Sequence, residues 1–275
     1  MEINNKIKKY SFIGAGNMAS AIIRSFISNK VVNPESIIVY DIDKSKYNFF
    51  KSIKVNCANS VDEAISFSDY IILAVKPQFM IEALFPVKKC IEYGNKIYIS
   101  IAAGITTNFI NNFLECNCPV IRTMPNTPFL VGMGAIAISK NKFVDRRIFE
   151  TIIDDFKKVA TVAIFDESKM NSVVSVNGSS PAYIFKFIRA MIDGAVQQGF
   201  SESEVKELVL KSIEGSIELV RQNNVPIQNL IDMVTSKKGT TEKAIISLDN
   251  DDFENSIIRA MFACTKRAEE LAENK

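Results

Sequence analysis

The chain has 275 residues, 33 Lys and Arg against 31 Asp and Glu for a net charge of +2, and 47% hydrophobic with 23% charged residues. That balance belongs to an ordinary globular protein of roughly two domains, and without a Lys/Arg block interleaved with aromatics it argues against a nucleic-acid partner. The five cysteines, Cys57, Cys90, Cys116, Cys118 and Cys264, are odd in number and contain no CxxC, so reduced thiols in a cytoplasm are expected. Cys116-x-Cys118 finds no histidine anywhere in the chain to complete a metal site, so no metal is expected. Met1 to Lys9 is polar and lysine-rich with no apolar signal region behind it, which argues against export.

Strand, tight turn and helix open the chain. Tyr10 to Ile13 is a short apolar strand, Gly14-Ala15-Gly16-Asn17-Met18-Ala19 follows, and the periodicity of Ala21, Ile22, Ser25 and Phe26 predicts a helix. In the dinucleotide-binding form of this turn one glycine makes the bend, a second lets backbone approach a pyrophosphate, and a small third residue lets the helix close on the sheet. Gly14, Gly16 and Ala19 hold those places, and the helix N-terminus turns free N–H groups toward the phosphates. Strand two is predicted over Ser36 to Tyr40, after the Asn33-Pro34 turn, and ends in Asp41-Ile42-Asp43. A helix near Ser45 to Lys51 and a short strand at Lys54 to Cys57 follow, and Ser60-Val61-Asp62-Glu63 has the form of a capping box. Tyr70 to Val75 is a continuous apolar run of the kind buried on both faces of a parallel sheet, stopped by Lys76-Pro77. Strands at Lys96 to Ile101 and Val120 to Met124 lead into turn formers, Ala102-Ala103-Gly104 and Pro125-Asn126-Thr127-Pro128. Two more, Met133 to Ser139 and Thr161 to Phe165, flank a helix from about Phe143 to Lys158. The alternation predicts an α/β doubly wound sheet over residues 1–165.

After Phe165 no alternating strand recurs. Ser179-Ser180-Pro181 predicts a helix start, with a hydroxyl cap and proline in the first turn. The helix it opens, about Ala182 to Gln198, is apolar on nearly every face and is therefore expected to be buried; Lys186, Arg189 and Asp193 argue against a membrane span. Helices near Glu202 to Arg221, Ile227 to Thr235 and Phe253 to Glu273 make residues 166–275 an all-helical domain. It carries more apolar surface than it can easily bury alone, so a second subunit is expected.

Six stretches in chain order, Ser11-Phe-Ile-Gly-Ala-Gly-Asn-Met18, Leu73-Ala-Val-Lys-Pro-Gln78, Ser100-Ile-Ala-Ala-Gly104, Arg122-Thr-Met-Pro-Asn-Thr-Pro128, Asn177-Gly-Ser-Ser-Pro-Ala-Tyr183 and Val234-Thr-Ser-Lys-Lys-Gly-Thr-Thr241, resemble the successive motifs of the pyrroline-5-carboxylate reductase family. The resemblance spans essentially the whole chain; its last two motifs are specific to that family, whereas the first occurs in many dehydrogenases. It implies a Rossmann-type doubly wound domain (residues 1–165) that binds NADH or NADPH, then an all-α substrate-binding and dimerisation domain (166–275). The helical domain would interlock in a homodimer, often assembled further into a decamer. The reaction implied is reduction of Δ1-pyrroline-5-carboxylate to L-proline, the last step of proline biosynthesis. Residue by residue, the resemblance places the pyrophosphate on Gly14, Ala15, Gly16, Asn17 and Met18, and Asn59 on the adenosine side. Ala74, Val75, Lys76 and Pro77, with Ile101, Ala102 and Ala103, would line the cofactor. The substrate carboxylate would sit at the helix N-terminus opened by Gly239-Thr240-Thr241, held by backbone N–H groups and the Ser236 and Thr241 hydroxyls, with Thr241 also the catalytic residue. Relatives mostly read Ser-Pro-Gly-Gly before this helix, whereas this chain has Ser236-Lys237-Lys238-Gly239.

The residues present bear on the chemistry. Reducing a ketone calls for a proton donor to the developing alkoxide, commonly His, Lys or Tyr, and the chain has no histidine. A cyclic imine can arrive already protonated, so the protein mainly has to align the reactants. Lys76 or Tyr183 could still serve another reaction, so a reductase of another small keto, hydroxy or imino acid, or a dinucleotide-sensing protein without turnover, remain the alternatives. Asp41 lies 22 residues beyond Ala19, close to the roughly 20 expected of the acid that takes the adenosine ribose hydroxyls. NADH is therefore favoured over NADPH, although Lys44 or Lys46 could swing onto a 2′-phosphate.

Overall fold

The computed structural model describes residues 8–89 and 96–273, so Cys90 lies outside the described residues. Contacts divide the chain into two compact units: one runs up to Ser179 and resumes at Ala263, and the other is Ser180–Phe262.

The first unit is built in chain order from β1 (Tyr10–Ile13), α1 (Asn17–Ser28), β2 (Ile37–Tyr40), α2 (Tyr47–Ser52), β3 (Asn56–Cys57), α3 (Val61–Phe67), β4 (Tyr70–Leu73), α4 (Met80–Lys89), β5 (Ile97–Ser100), α5 (Thr107–Leu114), β6 (Val120–Pro125), β7 (Gly134–Lys140), α6 (Arg146–Lys157) and β8 (Ala160–Ile164). The strands form one sheet in the order β3-β2-β1-β4-β5-β6-β7-β8. The first six are parallel, with Tyr10 opposite Ile37 on one side and Tyr70 on the other. β7 returns antiparallel to β6, because the turn after Pro125 is too short for a crossover helix, and β8 is parallel to β7.

Apolar strand residues alternate between the two faces, which makes the sheet doubly wound. Ile72 packs into the layer under α1, α2 and α6, with Ile22, Phe26, Phe50 and Phe156. Its neighbours Ile71 and Leu73 pack into the opposite layer, under α3, α4 and α5, with Ile65, Leu84 and Ile110. α4 and α5 leave no helix signal in the sequence. α4 contains Pro86 and starts straight after a 3-10 turn at Pro77–Phe79, and α5 is only 8 residues long with three asparagines; neither pattern signals a helix.

Beyond β8, α7 (Met170–Val173) runs into a π turn, Val174–Gly178. The helix expected from Ser179-Ser180-Pro181 does begin there, at Ser180 with Pro181 in its first turn, and the π turn runs up to it. Ser179 has helical backbone angles, and its N–H donates to Val174 O at 2.8 Å, so the π turn leads straight on into that start. Met170, Val173, Val174 and Ala268 close a third cluster against Met124 of β6 and Ala137 of β7.

The second unit holds α8 (Ser180–Gln197), α9 (Glu202–Gln222), α10 (Ile227–Val234), α11 (Thr240–Asn250) and the first part of α12 (Phe253–Glu273). Within the single chain, of α8 only Pro181 is buried, while Phe185 is 62% exposed, and Phe262 of α12 is 72% exposed. The apolar faces for which a second subunit is expected are open to the surface of the single chain. Among the described residues no helix is long and apolar enough to cross a membrane.

Candidate active site

The strand order reverses at β1: β2 and β3 lie to one side of it and β4 to the other. In open α/β sheets the ligand crevice forms outside the carboxyl ends of the strands at such a point. There Gly14 donates its N–H to Tyr40 O at 2.8 Å, and Ala74 donates to Ile13 O at 2.8 Å, so the ends of β1, β2 and β4 are tied together. Gly14 has φ +106°, and a Cβ on it would stand 2.7 Å from Ala74 O, so only glycine fits. At Gly16 an added Cβ would meet nothing within 4 Å. Its bare backbone opens onto space at the start of α1, where no side chain caps the helix and the first-turn N–H groups are left for an anion. The cradle fits a pyrophosphate.

A crevice of about 400 Å³ runs from this turn along the strand ends, lined by Gly14, Gly16, Asp41, Lys46, Ala74, Val75 and Lys76. Ile42, Phe79 and Glu82 also line it; the last two were missed with the turn and helix that carry them, and the signal was the proline at 77 opening that turn. Asn17 lines an adjoining cavity of about 530 Å³, and Met18 packs partly buried against the core. Pro77 opens the turn just beyond Lys76. The other expected cofactor residues lie outside the crevice lining. Asn59 is exposed and directs its N–H and side-chain amide to the Glu63 carboxylate at 2.7 and 3.3 Å. Ile101 donates its N–H to Leu73 O at 3.2 Å, Ala102 is buried with its N–H on the Ser100 hydroxyl at 3.3 Å, and Ala103 packs against the third cluster. The capping box at Ser60 is half formed: Ser60 Oγ accepts from the Glu63 N–H at 3.1 Å, while the Glu63 carboxylate reaches Asn59 instead.

Asp41 is buried at the tip of β2. Its Oδ2 accepts from the Ala15 N–H at 2.7 Å and from Lys46 Nζ at 2.9 Å, and its Oδ1 accepts from the Asp43 N–H at 2.8 Å. Burial pushes its pKa up, but the Lys46 ammonium and the two amides outweigh that and hold it below the usual carboxylate value. The two lysines of this segment differ in what they do. Lys44 Nζ donates to Tyr47 Oη at 2.8 Å and Ala58 O at 3.3 Å, and it lies over the Tyr40 and Tyr47 rings at 4.4 and 4.7 Å.

At the carboxyl end of β6 a pair of side-chain amides fixes the Pro125-Asn126-Thr127-Pro128 turn. Asn126 Nδ2 donates to Asn177 Oδ1 at 3.0 Å, and Asn177 Nδ2 donates to Met124 O at 2.7 Å and Ala135 O at 3.1 Å. The turn is thus sewn to the π turn that carries Asn177. Nearby, the buried guanidinium of Arg122 donates to Asn171 Oδ1 at 2.6 Å.

In the helical unit, α11 begins at Gly239 and again has no side-chain cap. A Cβ on Gly239 would stand 2.4 Å from Ser236 Oγ, so glycine is needed for the close approach of Ser236, and the Gly239 N–H donates to Ser236 O at 2.9 Å. Thr240 is exposed and Thr241 half-buried in the first helical turn. Lys238 holds φ +60°, with its N–H on Glu242 Oε2 at 2.9 Å. Among the described residues no cluster of three metal-ligating side chains forms.

A glycine cradle at the reversal point of a doubly wound sheet, opening onto an uncapped helix and a crevice with a carboxylate at the tip of β2, defines a nicotinamide-dinucleotide oxidoreductase. Residues 9–104 match the family model described as NADP oxidoreductase, coenzyme F420-dependent, and residues 167–271 match that of pyrroline-5-carboxylate reductase dimerisation. A pyrroline-5-carboxylate reductase of Haemophilus influenzae is 36% identical over 268 residues, covering 96% of this chain and 97% of the relative. That of Escherichia coli is 33% identical, covering 97% and 99%. The crystal structure of Plasmodium falciparum pyrroline carboxylate reductase with NADP bound superposes with a TM-score of 0.89 at 28% identity, covering 96% of this chain and 98% of that one. The chain belongs to the pyrroline-5-carboxylate reductase family. A reductive aminase of Aspergillus terreus, 13% identical with a TM-score of 0.60, shares the fold alone.

Proposed function

We propose that this protein reduces Δ1-pyrroline-5-carboxylate to L-proline with NAD(P)H, the last step of proline biosynthesis. The observation that carries the reading is the pair of uncapped, glycine-opened helix N-termini, α1 at Gly16 and α11 at Gly239, in a chain that matches these reductases along its length. One suits a pyrophosphate and the other a carboxylate, and neither needs a cation to hold its anion.

When bound, the reduced nicotinamide supplies a hydride to the imine carbon. Gly14 to Met18 would hold the pyrophosphate and Ala74 to Pro77 would line the cofactor, while it is the family resemblance, rather than the crevice lining, that would put Asn59 on the adenosine side and Ile101 to Ala103 beside the cofactor. The substrate carboxylate is held by N–H groups at the start of α11, at Gly239, Thr240 and Thr241, and by the Ser236 and Thr241 hydroxyls. Thr241 is the catalytic residue of this set, fixing the substrate ring for attack. The imine arrives protonated and loses its positive charge as the hydride is delivered, so an imidazole acid is not required, in keeping with a chain that has no histidine. NADH is the better donor because the Asp41 carboxylate is fixed at the tip of β2, where it accepts from a free 2′-OH and repels a 2′-phosphate.

The protein works as an interlocked homodimer, assembled further into a decamer, with the open apolar faces of α8 and α12 closed by a second copy. It acts in the cytoplasm, a reading supported by the unpaired Cys57, Cys116, Cys118 and Cys264.

NADH and NADPH oxidation, followed by absorbance with the imine acid and with a panel of 2-keto acids, tests the reaction. Turnover of keto acids but not of the imine would reject it, and cofactor binding without any turnover would point to a sensing protein. Mass photometry of the purified protein tests the assembly.

A further inference from the structure

We infer that Lys46 is the residue that admits a 2′-phosphorylated cofactor, so that one crevice serves NADPH as well as NADH; this rests on the proposed use of NAD(P)H. Asp41 alone would repel a 2′-phosphate. Lys46 stands beside it, with Nζ 2.9 Å from Oδ2, lining both the crevice and the adjoining cavity along α1.

Three observations single out Lys46. First, it is the less committed of the two lysines. Its side chain is 38% exposed and Asp41 is its ion-pair partner, whereas Lys44 is committed to a hydroxyl, a carbonyl and two ring faces and lines neither cavity. Second, its departure does not strand the carboxylate, because the Ala15 and Asp43 amides stay on Asp41, so the lysine can turn to a phosphate without leaving a buried anion unpaired. Third, its place between the glycine turn and the Asp41-Ile42-Asp43 tip is where the fold sets the ribose of a bound dinucleotide. With a free 2′-OH, Lys46 stays paired to Asp41; with a 2′-phosphate, it neutralises the added charge.

The test compares wild type with Lys46→Met and Lys46→Arg, using calorimetric binding of 2′,5′-ADP and 5′-ADP to the full-length protein alongside kcat/KM for both cofactors. The expected result for Lys46→Met is a loss of at least tenfold in the affinity ratio of 2′,5′-ADP to 5′-ADP, and a matching fall in the NADPH-to-NADH ratio of kcat/KM. Lys46→Arg should keep both ratios within a fewfold of wild type. Parallel losses for both nucleotides would mean that Lys46 only braces Asp41 and the glycine turn, and would overturn the inference, as would unchanged ratios. A wild type that prefers NADPH would overturn the NADH preference and leave the role of Lys46 standing, so the two failures are distinguishable.

Discussion

The Asp41 carboxylate accepts the backbone N–H of Ala15 at 2.7 Å, so the tip of β2 and the Gly14–Gly16 turn are held as one unit. Asp41 therefore shapes the glycine turn and, in the proposed cofactor mode, would also set the charge met by the adenosine ribose. At about 4 Å and surface-like screening, its repulsion of a 2′-phosphate amounts to roughly 1 to 4 kcal/mol per charge pair, with about 1.4 kcal/mol for each tenfold. At one fixed ionic strength, wild type should show the higher kcat/KM with NADH. Asp41→Ser should move the ratio toward NADPH and, by loosening the turn, weaken both cofactors. A wild type that works better with NADPH would show that Asp41 does not govern the choice.

Thr241→Ala should raise the KM for the imine acid far more than that for the nicotinamide cofactor. Loss of a hydrogen bond to a charged group costs about 1.5 to 3 kcal/mol, a tenfold effect or more. Because Thr241 is half-buried at an otherwise uncapped helix start, the same change could instead weaken the fold. Equal losses for both ligands, with a lower melting temperature, would identify that structural role.

The glycine turn could be read in the sequence because its physics is local: a bend that forbids Cβ at Gly14, open backbone at Gly16, and a helix straight after. The sheet could be read for a related reason, since runs such as Tyr70 to Val75 are apolar on both faces. The rest depends on what comes together in space. The π turn at Val174–Gly178 hides behind Ser179-Ser180-Pro181, a stretch with the composition of a cap; what holds it is Asn177, whose amide partners Met124 and Ala135 lie 53 and 42 residues back along the chain. The Asp41–Lys46 pair and the commitment of Lys44 to two tyrosines likewise follow from folding α2 under the tip of β2. The apolar periodicity of α8 was real, but periodicity says that a face will be covered and not by what. In the single chain Phe185 and its neighbours stay exposed.

The two lysines before α11 give a prediction about rate. Lys237 and Lys238 are exposed and should draw in an anionic substrate, an effect that salt weakens. Replacing them with Pro and Gly should leave kcat in place and flatten the salt dependence of kcat/KM. The glycine half of that exchange suits the backbone, because Lys238 sits at φ +60°, a conformation glycine adopts without strain. An unchanged salt slope would remove the steering claim.

The stability of the sheet unit should fall at alkaline pH through Tyr10. Its hydroxyl donates to Asp155 Oδ2 at 2.7 Å, and Lys8 Nζ reaches both oxygens of the same buried carboxylate at 2.9 Å. Burial first, and then the charge of Asp155, raise the Tyr10 pKa well above its ordinary value. In the unfolded chain a tyrosine ionises near pH 10, so above that the unfolded state holds fewer protons than the folded one. The contribution is fully present below about pH 10 and is lost progressively as pH climbs toward the folded-state value, at about 1.4 kcal/mol per pH unit for one proton. Tyr70, whose pKa burial and Asp155 also raise, adds a slope of the same sign. Tyr10→Phe should cost about 1 kcal/mol at neutral pH, from the lost hydrogen bond, and should shrink the alkaline loss without abolishing it. Urea unfolding of both proteins in steps from pH 7 to 11 measures this, and parallel stability curves above pH 10 would show that Tyr10 is not the group responsible.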